Sequence, residues 1–149
     1  MSHRRFLALC ISTALPVMLC GPAEPASGKS EVKGAAILDH PCGKVAVKQM
    51  GLLHAGKIDE ANKLSTKEMQ DQWKAMPAKD RAMMTTMAKE MSETEDQFRA
   101  AIKANGVLVV DGDAAKLTVQ KKTTAASGTS TSTTTQSYKL TGSECMISR

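Results

Sequence analysis

Apolar positions follow two different periods in the two parts of this chain. Between residues 44 and 104 they recur every three or four residues, which is typical of helices with one buried face. From residue 107 onwards they alternate with polar positions, which is typical of strands with one buried face. Helices followed by antiparallel strands predict an α+β fold, with the N-terminal helices packed on a sheet.

Local signals divide the helical part into five segments. Gly56 suits the left-handed residue that ends a helix, and Pro77 fits only a helix start or a break. Ser65 with Glu68 predicts a capping box, and Ser92 with Glu95 suits a further cap. The predicted helices cover residues 44–55, 58–64, 65–76, 78–91 and 92–104.

Methionine supplies much of the apolar face of the third and fourth predicted helices. The positions expected to point inward are Met69, Trp73 and Met76 on the third helix, and Met83, Met84, Met87 and Met91 on the fourth. With one Trp, one Tyr and two Phe in the chain, methionine is the natural core-filling residue. The alternative is a copper site, because thioethers are soft ligands. Inward-facing side chains favour packing over copper.

The last part of the chain predicts about four strands. They cover residues 107–110, 113–121, 136–141 and 144–148. Asp111 and Gly112 suit a two-residue hairpin turn, and Gly142 with Ser143 turns the chain again. Residues 123–135 hold seven Thr and three Ser with almost nothing to bury, which predicts a mobile loop with short β extensions at its ends.

The N-terminus has the pattern of a bacterial secretory signal peptide. Arg4 and Arg5 precede Phe6–Leu19, an apolar run of about 14 residues, whereas a membrane-spanning helix needs about 20. The predicted organisation is a signal peptide at 1–26, a flexible leader at 27–36 and a single α+β domain at 37–149. The mature form is expected to be periplasmic without a transmembrane helix. In an alternative interpretation, Cys20 is lipidated and anchors the protein to the inner or outer membrane.

Two of the four cysteines lie beyond the predicted signal peptide at 1–26, and Cys20 would stay in the mature chain only if it is lipidated. Cys42 and Cys145 form an even pair in an oxidising compartment, so a disulfide closing a loop of about 100 residues is expected. In the alternative, Cys145 replaces a core aromatic residue and Cys42 is a surface thiol. Cα atoms about 4.4 to 6.8 Å apart would favour the disulfide.

Charge and chemistry exclude several classes of function. The net charge is +5, and the lysines are scattered among acidic residues, so no nucleic-acid partner is expected. No catalytic, cofactor or metal group is predicted. His40 falls in a predicted loop, and His54 is expected to interact favourably with a helix C-terminus. The protein is therefore predicted not to be an enzyme.

Three segments carry a family resemblance. Residues 52–61, with the sequence LLHAGKIDEA, resemble the first helix and turn of domains related to nuclear transport factor 2. Residues 107–119 and 138–147 resemble hairpins of exported, lumazine-binding-like members of that superfamily, many of which are small uncharacterised lipoproteins. The resemblance implies a cone-shaped, curved antiparallel sheet wrapped on helices. In relatives, the cone holds an active site, a small-molecule pocket or a protein interface.

The function predicted from these observations is a non-catalytic binding or protein-interaction module of the bacterial envelope. An inhibitor or immunity-type partner of a secreted protein is one form of that prediction. The alternative is a pocket for a small hydrophobic ligand, and copper binding through methionine is a third hypothesis. The residues expected to line such a pocket are Trp73, Met87, Phe98 and Tyr138.

Overall fold

The computed structural model describes residues 28–125 and 128–149, which form helices and an open antiparallel sheet in an α+β fold. The elements are β1 (Ser30–Lys33), a 3₁₀ helix (Gly34–Leu38), α1 (Pro41–His54), α2 (Ile58–Asn62), α3 (Lys67–Ala75), α4 (Ala78–Met91), α5 (Glu95–Asn105), β2 (Gly106–Asp111), β3 (Ala114–Ala125), β4 (Gly128–Thr141) and β5 (Glu144–Ser148). The predicted signal peptide and the lipidation of Cys20 lie outside the described residues. Within the described ranges, no helix is both long and apolar enough to cross a membrane.

The five predicted helices are confirmed, and Pro77 separates α3 from α4 as expected. Helix α1 begins three residues before its predicted start. The Nδ1 atom of His40 accepts a hydrogen bond of 3.2 Å from the amide of Cys42, and Pro41 occupies the first turn. Burial lowers the pKa of His40, which favours the neutral ring that such an acceptor requires.

The predicted capping residues are not the observed ones. Helix α3 begins after Thr66 without a side-chain cap, because Ser65 is buried in a bridge to Ile147 instead. At the start of α5, the capping box is formed by Thr94 and Gln97, whose reciprocal hydrogen bonds both measure 3.2 Å. The segment in which the local sequence predicts a cap therefore pairs with β5 instead.

The sheet has five strands in sequential order, with every neighbouring pair antiparallel. The predicted turn at Gly142 and Ser143 is present, whereas the first turn lies at Gly112 and Asp113, one residue later than predicted, because Asp111 pairs with Ala114. Gly112 and Gly142 occupy the first central positions of the two turns, each with φ of 61°. A glycine at that position fits the type II′ turn. The fifth strand is β1, which lies inside the predicted flexible leader at 27–36 and pairs with β2. The leader prediction is wrong there because the edge of β2 offers backbone hydrogen bonds to β1.

The described residues of the threonine-rich segment, 123–125 and 128–135, form paired strands, so the prediction of a mobile loop is wrong for them. Strands β3 and β4 pair from Ala114–Lys139 to Ala125–Gly128. Strand β2 covers β3 only up to Val119, and β5 covers β4 only from Ser137, so the remainder projects as a two-stranded ribbon. Threonine suits this ribbon because its β-branched side chain favours extended backbone even where nothing is buried.

The core lies between one face of the sheet and the layer formed by α1, α5 and the 3₁₀ helix. Its largest fully buried side chains are Tyr138, Ile37, Ile102, Leu108, Leu117, Ile147, Val47 and Cys42. Burial raises the pKa of Tyr138, since the ionised phenolate would lose its solvation. Cys42 and Cys145 form the predicted disulfide, with their Cα atoms 5.1 Å apart. The bond ties the first turn of α1 to β5.

Candidate functional site

Helix α4 carries an exposed apolar surface where the sequence predicts a buried one. Met83, Met84, Met87 and Met91 are 58%, 41%, 50% and 78% exposed, and they are the exposed large hydrophobic side chains of the described chain. No residue of α4 is buried. We call these four side chains the methionine face.

The packing of α4 explains why the methionine prediction is wrong. The half-buried positions include Arg81, Thr85 and Ala88, which follow one another at helical spacing and form the more buried side of α4, a helix that packs on α1. At 100° per residue, the centre of the methionine face lies about 110° away from that side. The periodicity therefore identified a common face, but the residues beside it are the more buried ones.

An apolar groove runs along the methionine face where α4 meets the end of α1 and the start of α2. Its lining residues are Leu53, Ile58, Met84, Met87, Ala88 and Met91, and it is an open groove with a volume of about 320 Å³. A groove with this lining offers a partner almost no hydrogen bonds, so the burial of apolar surface would supply the binding energy.

His54, in the last turn of α1, forms a hydrogen bond that joins α1 to the residue after α4. Its Nδ1 atom donates a hydrogen bond of 3.0 Å to the carbonyl oxygen of Ser92, the residue that follows α4. The predicted position of His54 at the helix end is confirmed. The contact with Ser92 spans 38 residues and has no local sequence signal. It fixes the end of α4 against α1.

A second, smaller cavity of about 210 Å³ lies between the helices and the inner face of the sheet. Its lining residues are Met50, Met91, Ser92, Glu93, Phe98, Val119, Lys121 and Thr134. Lys121 and Glu93 form an ion pair in its wall. The other carboxylate oxygen of Glu93, Oε2, is one of two buried side-chain polar atoms in the described chain that have no hydrogen-bond partner.

No single cavity is lined by all four residues expected to line one pocket, although Phe98 and Tyr138 share the core cluster. Phe98 lines the smaller cavity, Met87 lines the apolar groove and Tyr138 is in the core. The indole nitrogen of Trp73 donates a hydrogen bond of 2.7 Å to Asp59, which joins α3 to α2. Phe98 and Tyr138 therefore pack in the core, Trp73 joins α3 to α2, and the aromatic side chains do not form a common pocket lining.

Within residues 28–125 and 128–149, no three or more His, Cys, Asp and Glu side chains are grouped so that they could hold a metal ion. The two histidines in these ranges each form a hydrogen bond through Nδ1 that supports local structure. The methionine face and the small cavity are the two features of the described residues that we consider as candidate sites, the first for its exposed apolar side chains and the second for its unpaired buried carboxylate oxygen. No family model, curated protein or solved structure matches this chain, so its function is inferred from its own residues.

Proposed function

We propose that this protein is a non-catalytic interaction module that docks a protein partner on the methionine face. The observation that carries the proposal is the exposure of four methionines on one helix, since contiguous exposed apolar surface marks interaction sites in soluble proteins. Helix α4 has no buried residue of its own, so its apolar residues contribute little to the folded core.

The apolar side chains of the methionine face suit an apolar segment of a partner, such as one face of a helix. Methionine is flexible and polarizable, and it is common at surfaces that adapt to their partners. Fully burying one methionine side chain stabilises a complex by about 1.5–3 kcal/mol. The four methionines are about half exposed, so burying that exposed surface would contribute roughly 3–6 kcal/mol to the free energy of binding, before the cost of association is subtracted. A partner therefore needs polar contacts around the groove as well.

The disulfide supports the proposed location in the bacterial envelope, because such bonds persist in oxidising compartments and are rare in the cytoplasm. The signal peptide at residues 1–26 and the periplasmic location are part of this proposal. Helices on one face of an antiparallel sheet are also consistent with a domain related to nuclear transport factor 2, which we retain as a proposal. An inhibitor of a secreted protein would use the methionine face in the same way.

Photo-crosslinking tests the docking surface. With p-benzoylphenylalanine in place of Met87, we expect one discrete protein adduct in envelope extracts. The matched control places the same group at Thr86, which is exposed on the same helix about 100° away. Equal adducts from both positions, or none from Met87, would contradict the proposal.

A surface variant tests whether that adduct depends on the apolar face. Met84→Asp with Met91→Asp should abolish crosslinking from position 87, because charged groups would have to be desolvated in the interface. Both side chains are exposed, so the free energy of unfolding should fall by less than about 1 kcal/mol. A full yield of adduct from this variant would show that the methionine face is not the docking surface.

The smaller cavity favours a second candidate function, the binding of a small ligand. Its specific support is the unpaired Oε2 atom of Glu93, which could accept a hydrogen bond from a ligand. At about 210 Å³ the cavity is below the roughly 300–1,000 Å³ of ordinary ligand pockets, so only a small molecule would fit.

Native mass spectrometry distinguishes this second function from docking. A retained small molecule should disappear in Thr134→Phe, whose ring would fill the cavity from an exposed position. Crosslinking from position 87 should persist in that variant. If no small molecule is retained by the unmodified protein, the pocket hypothesis fails and the docking proposal stands.

A further inference from the structure

We propose that two copies of this chain associate through the outer edge of β4, so that one antiparallel sheet continues from one copy to the other. The part of the strand concerned is 128–136, in the ribbon that projects beyond β2 and β5. We call its outer side the β4 edge. The proposal goes beyond docking on the methionine face, because the occupant is a second copy of the chain and the surface lies on a different element.

The backbone groups along the β4 edge point away from the rest of the described chain. Thr141 and Glu144 flank the two-residue turn before β5, so the odd-numbered residues of β4 direct their N–H and C=O groups to the β5 side. The pairing of β5 ends at Ser137. Farther along the ribbon, Thr131 and Thr133 therefore direct their backbone groups to a side on which the described residues provide no strand. Such an edge is a template for pairing with another strand.

The sequence of this part of β4 carries none of the residues that protect an exposed edge. It reads GTSTSTTTQ from 128 to 136, without a charged residue or a proline, and residues 128–135 are all exposed. Exposed edge strands are usually kept short or carry lysine or proline, which hinders pairing with other chains. A long, uncharged edge rich in β-branched residues favours the addition of a strand.

The other edge of the same ribbon is protected. On β3, Lys122 is exposed and lies directly opposite Thr131 of β4. If two copies met along β3, an antiparallel pair could bring Lys122 against its own counterpart, and like charges directly opposite are destabilising. The contrast between the edges selects β4. It also favours a closed dimer, because an open series of ribbons would have to use both edges.

Strand β4 is complementary to a second copy of itself. A twofold axis at Ser132 gives the longest antiparallel overlap that stops short of β5, since Gly128 of one copy then lies opposite Gln136 of the other. Thr131 faces Thr133 of the second copy, and each such pair exchanges both of its backbone hydrogen bonds. The side chains that meet between the two ends are all Thr or Ser, and such pairs stabilise antiparallel strands.

Analytical ultracentrifugation of the purified protein tests the association. We expect a monomer–dimer equilibrium with a dissociation constant below about 100 μM. The mass of the sedimenting species should rise from one chain towards two as the protein concentration increases. A monomer up to about 1 mM, or assemblies that grow beyond the dimer, would overturn the proposal.

Proline on the two sides of the ribbon tests which edge is used. Thr133→Pro removes an N–H that points to the β4 edge, and proline is tolerated at such a position because no bond within the sheet is lost. We expect the dissociation constant to rise at least about tenfold. The matched control is Gln120→Pro, directly opposite on β3, where the lost N–H points to the other edge; it should change the constant less than about threefold. Equal weakening by both variants would exclude the β4 edge.

A new cysteine tests the position of the twofold axis. With Cys10→Ser and Cys20→Ser as background, the other two native cysteines are bonded to each other and the added thiol is free. Ser132→Cys should form a covalent dimer on oxidation with diamide, because residue 132 meets its counterpart in the closer, non-hydrogen-bonded type of pair. The control is Thr123→Cys, which is exposed on β3 of the same ribbon and should remain a monomer on a non-reducing gel. No covalent dimer from Ser132→Cys, or equal yields from both, would contradict this pairing.

The variants of the methionine face distinguish this dimer from partner docking. Met84→Asp with Met91→Asp leaves the β4 edge unchanged, so its dissociation constant for the dimer should match that of the unmodified protein. Loss of the dimer in that variant would place the contact on the methionine face and overturn the proposal. Thr133→Pro should in turn keep the envelope adduct formed from position 87. A dimer without that adduct would support the β4 edge and contradict docking alone.

Discussion

Replacing Cys42 and Cys145 together with alanine is expected to lower the free energy of unfolding by about 4–5 kcal/mol, the largest effect that we expect from any change in this chain. The bond joins residues separated by 103 positions, and without it the unfolded chain gains the corresponding conformational freedom. Urea denaturation monitored by Trp73 fluorescence measures the loss. Against a total stability of roughly 5–15 kcal/mol for a domain, such a loss can unfold the protein at growth temperature.

Reduction provides the matched control for the disulfide prediction. Dithiothreitol should lower the urea midpoint of the unmodified protein towards that of the double variant, and it should leave the variant unchanged. Both cysteines are buried, so part of the loss in the variant comes from the missing sulfur atoms, and reduction alone isolates the effect of the bond. A loss below about 1 kcal/mol on reduction would contradict the expected contribution of the loop.

Gly43→Ala is expected to destabilise the protein by about 3 kcal/mol or more, although Gly to Ala inside a helix ordinarily stabilises by up to about 1 kcal/mol. A Cβ atom at Gly43 would lie 1.8 Å from the carbonyl oxygen of Ile37. The 3₁₀ helix would therefore have to move away from α1, and Ile37 is among the most buried side chains of the core. Urea denaturation measures the change.

Gly51→Ala in the same helix is the matched control for Gly43→Ala. There the nearest atom to a new Cβ is a carboxylate oxygen of Glu95 at 3.0 Å, at the end of a flexible side chain. This variant should be neutral or more stable by up to about 1 kcal/mol. Stabilisation by both substitutions would show that α1 does not pack on the 3₁₀ helix as closely as described.

Elements with strong local signals were predictable from the sequence. The boundaries of α4 follow from Pro77 and the apolar period, and β5 follows from the turn at Gly142 and the alternation after it. The disulfide follows from an even cysteine count together with the expected compartment. In each case, short-range chemistry and the tertiary structure favour the same conformation.

Elements whose structure depends on a distant partner were not predictable. Strand β1 forms because the edge of β2, more than 70 residues later, offers hydrogen bonds to it. The same is true of Ser65, whose local capping signal is overridden by a bridge to Ile147. The threonine-rich ribbon is a different case, since its β-branched residues favour strands whereas its lack of apolar residues favours a loop.

The candidate site was predictable in composition but not in position. The repeat of Met83, Met84, Met87 and Met91 identified one helical face, whereas its exposure depends on how α4 packs, with Arg81, Thr85 and Ala88 on its more buried side. Trp73, Met87, Phe98 and Tyr138 are the residues that the sequence offers for a pocket, and the structure does not bring all four to one cavity. Their separation follows from the sheet order and helix packing, which no local pattern specifies.

Strand β5 joins regions that are far apart in the sequence, and this affects the order in which the chain can fold during synthesis. It pairs with β4, bonds to Cys42 through Cys145, and exchanges hydrogen bonds of 2.9 Å with Leu64 and Thr66 through Ile147. Contacts across such separations form late. Until residue 148 has left the ribosome, the loop between α2 and α3 lacks its strand, and α1 lacks its covalent tie until the chain reaches an oxidising compartment. If the chain is exported to the periplasm, as we propose, it can therefore be threaded through the membrane before β5 is in place and complete its fold on the far side.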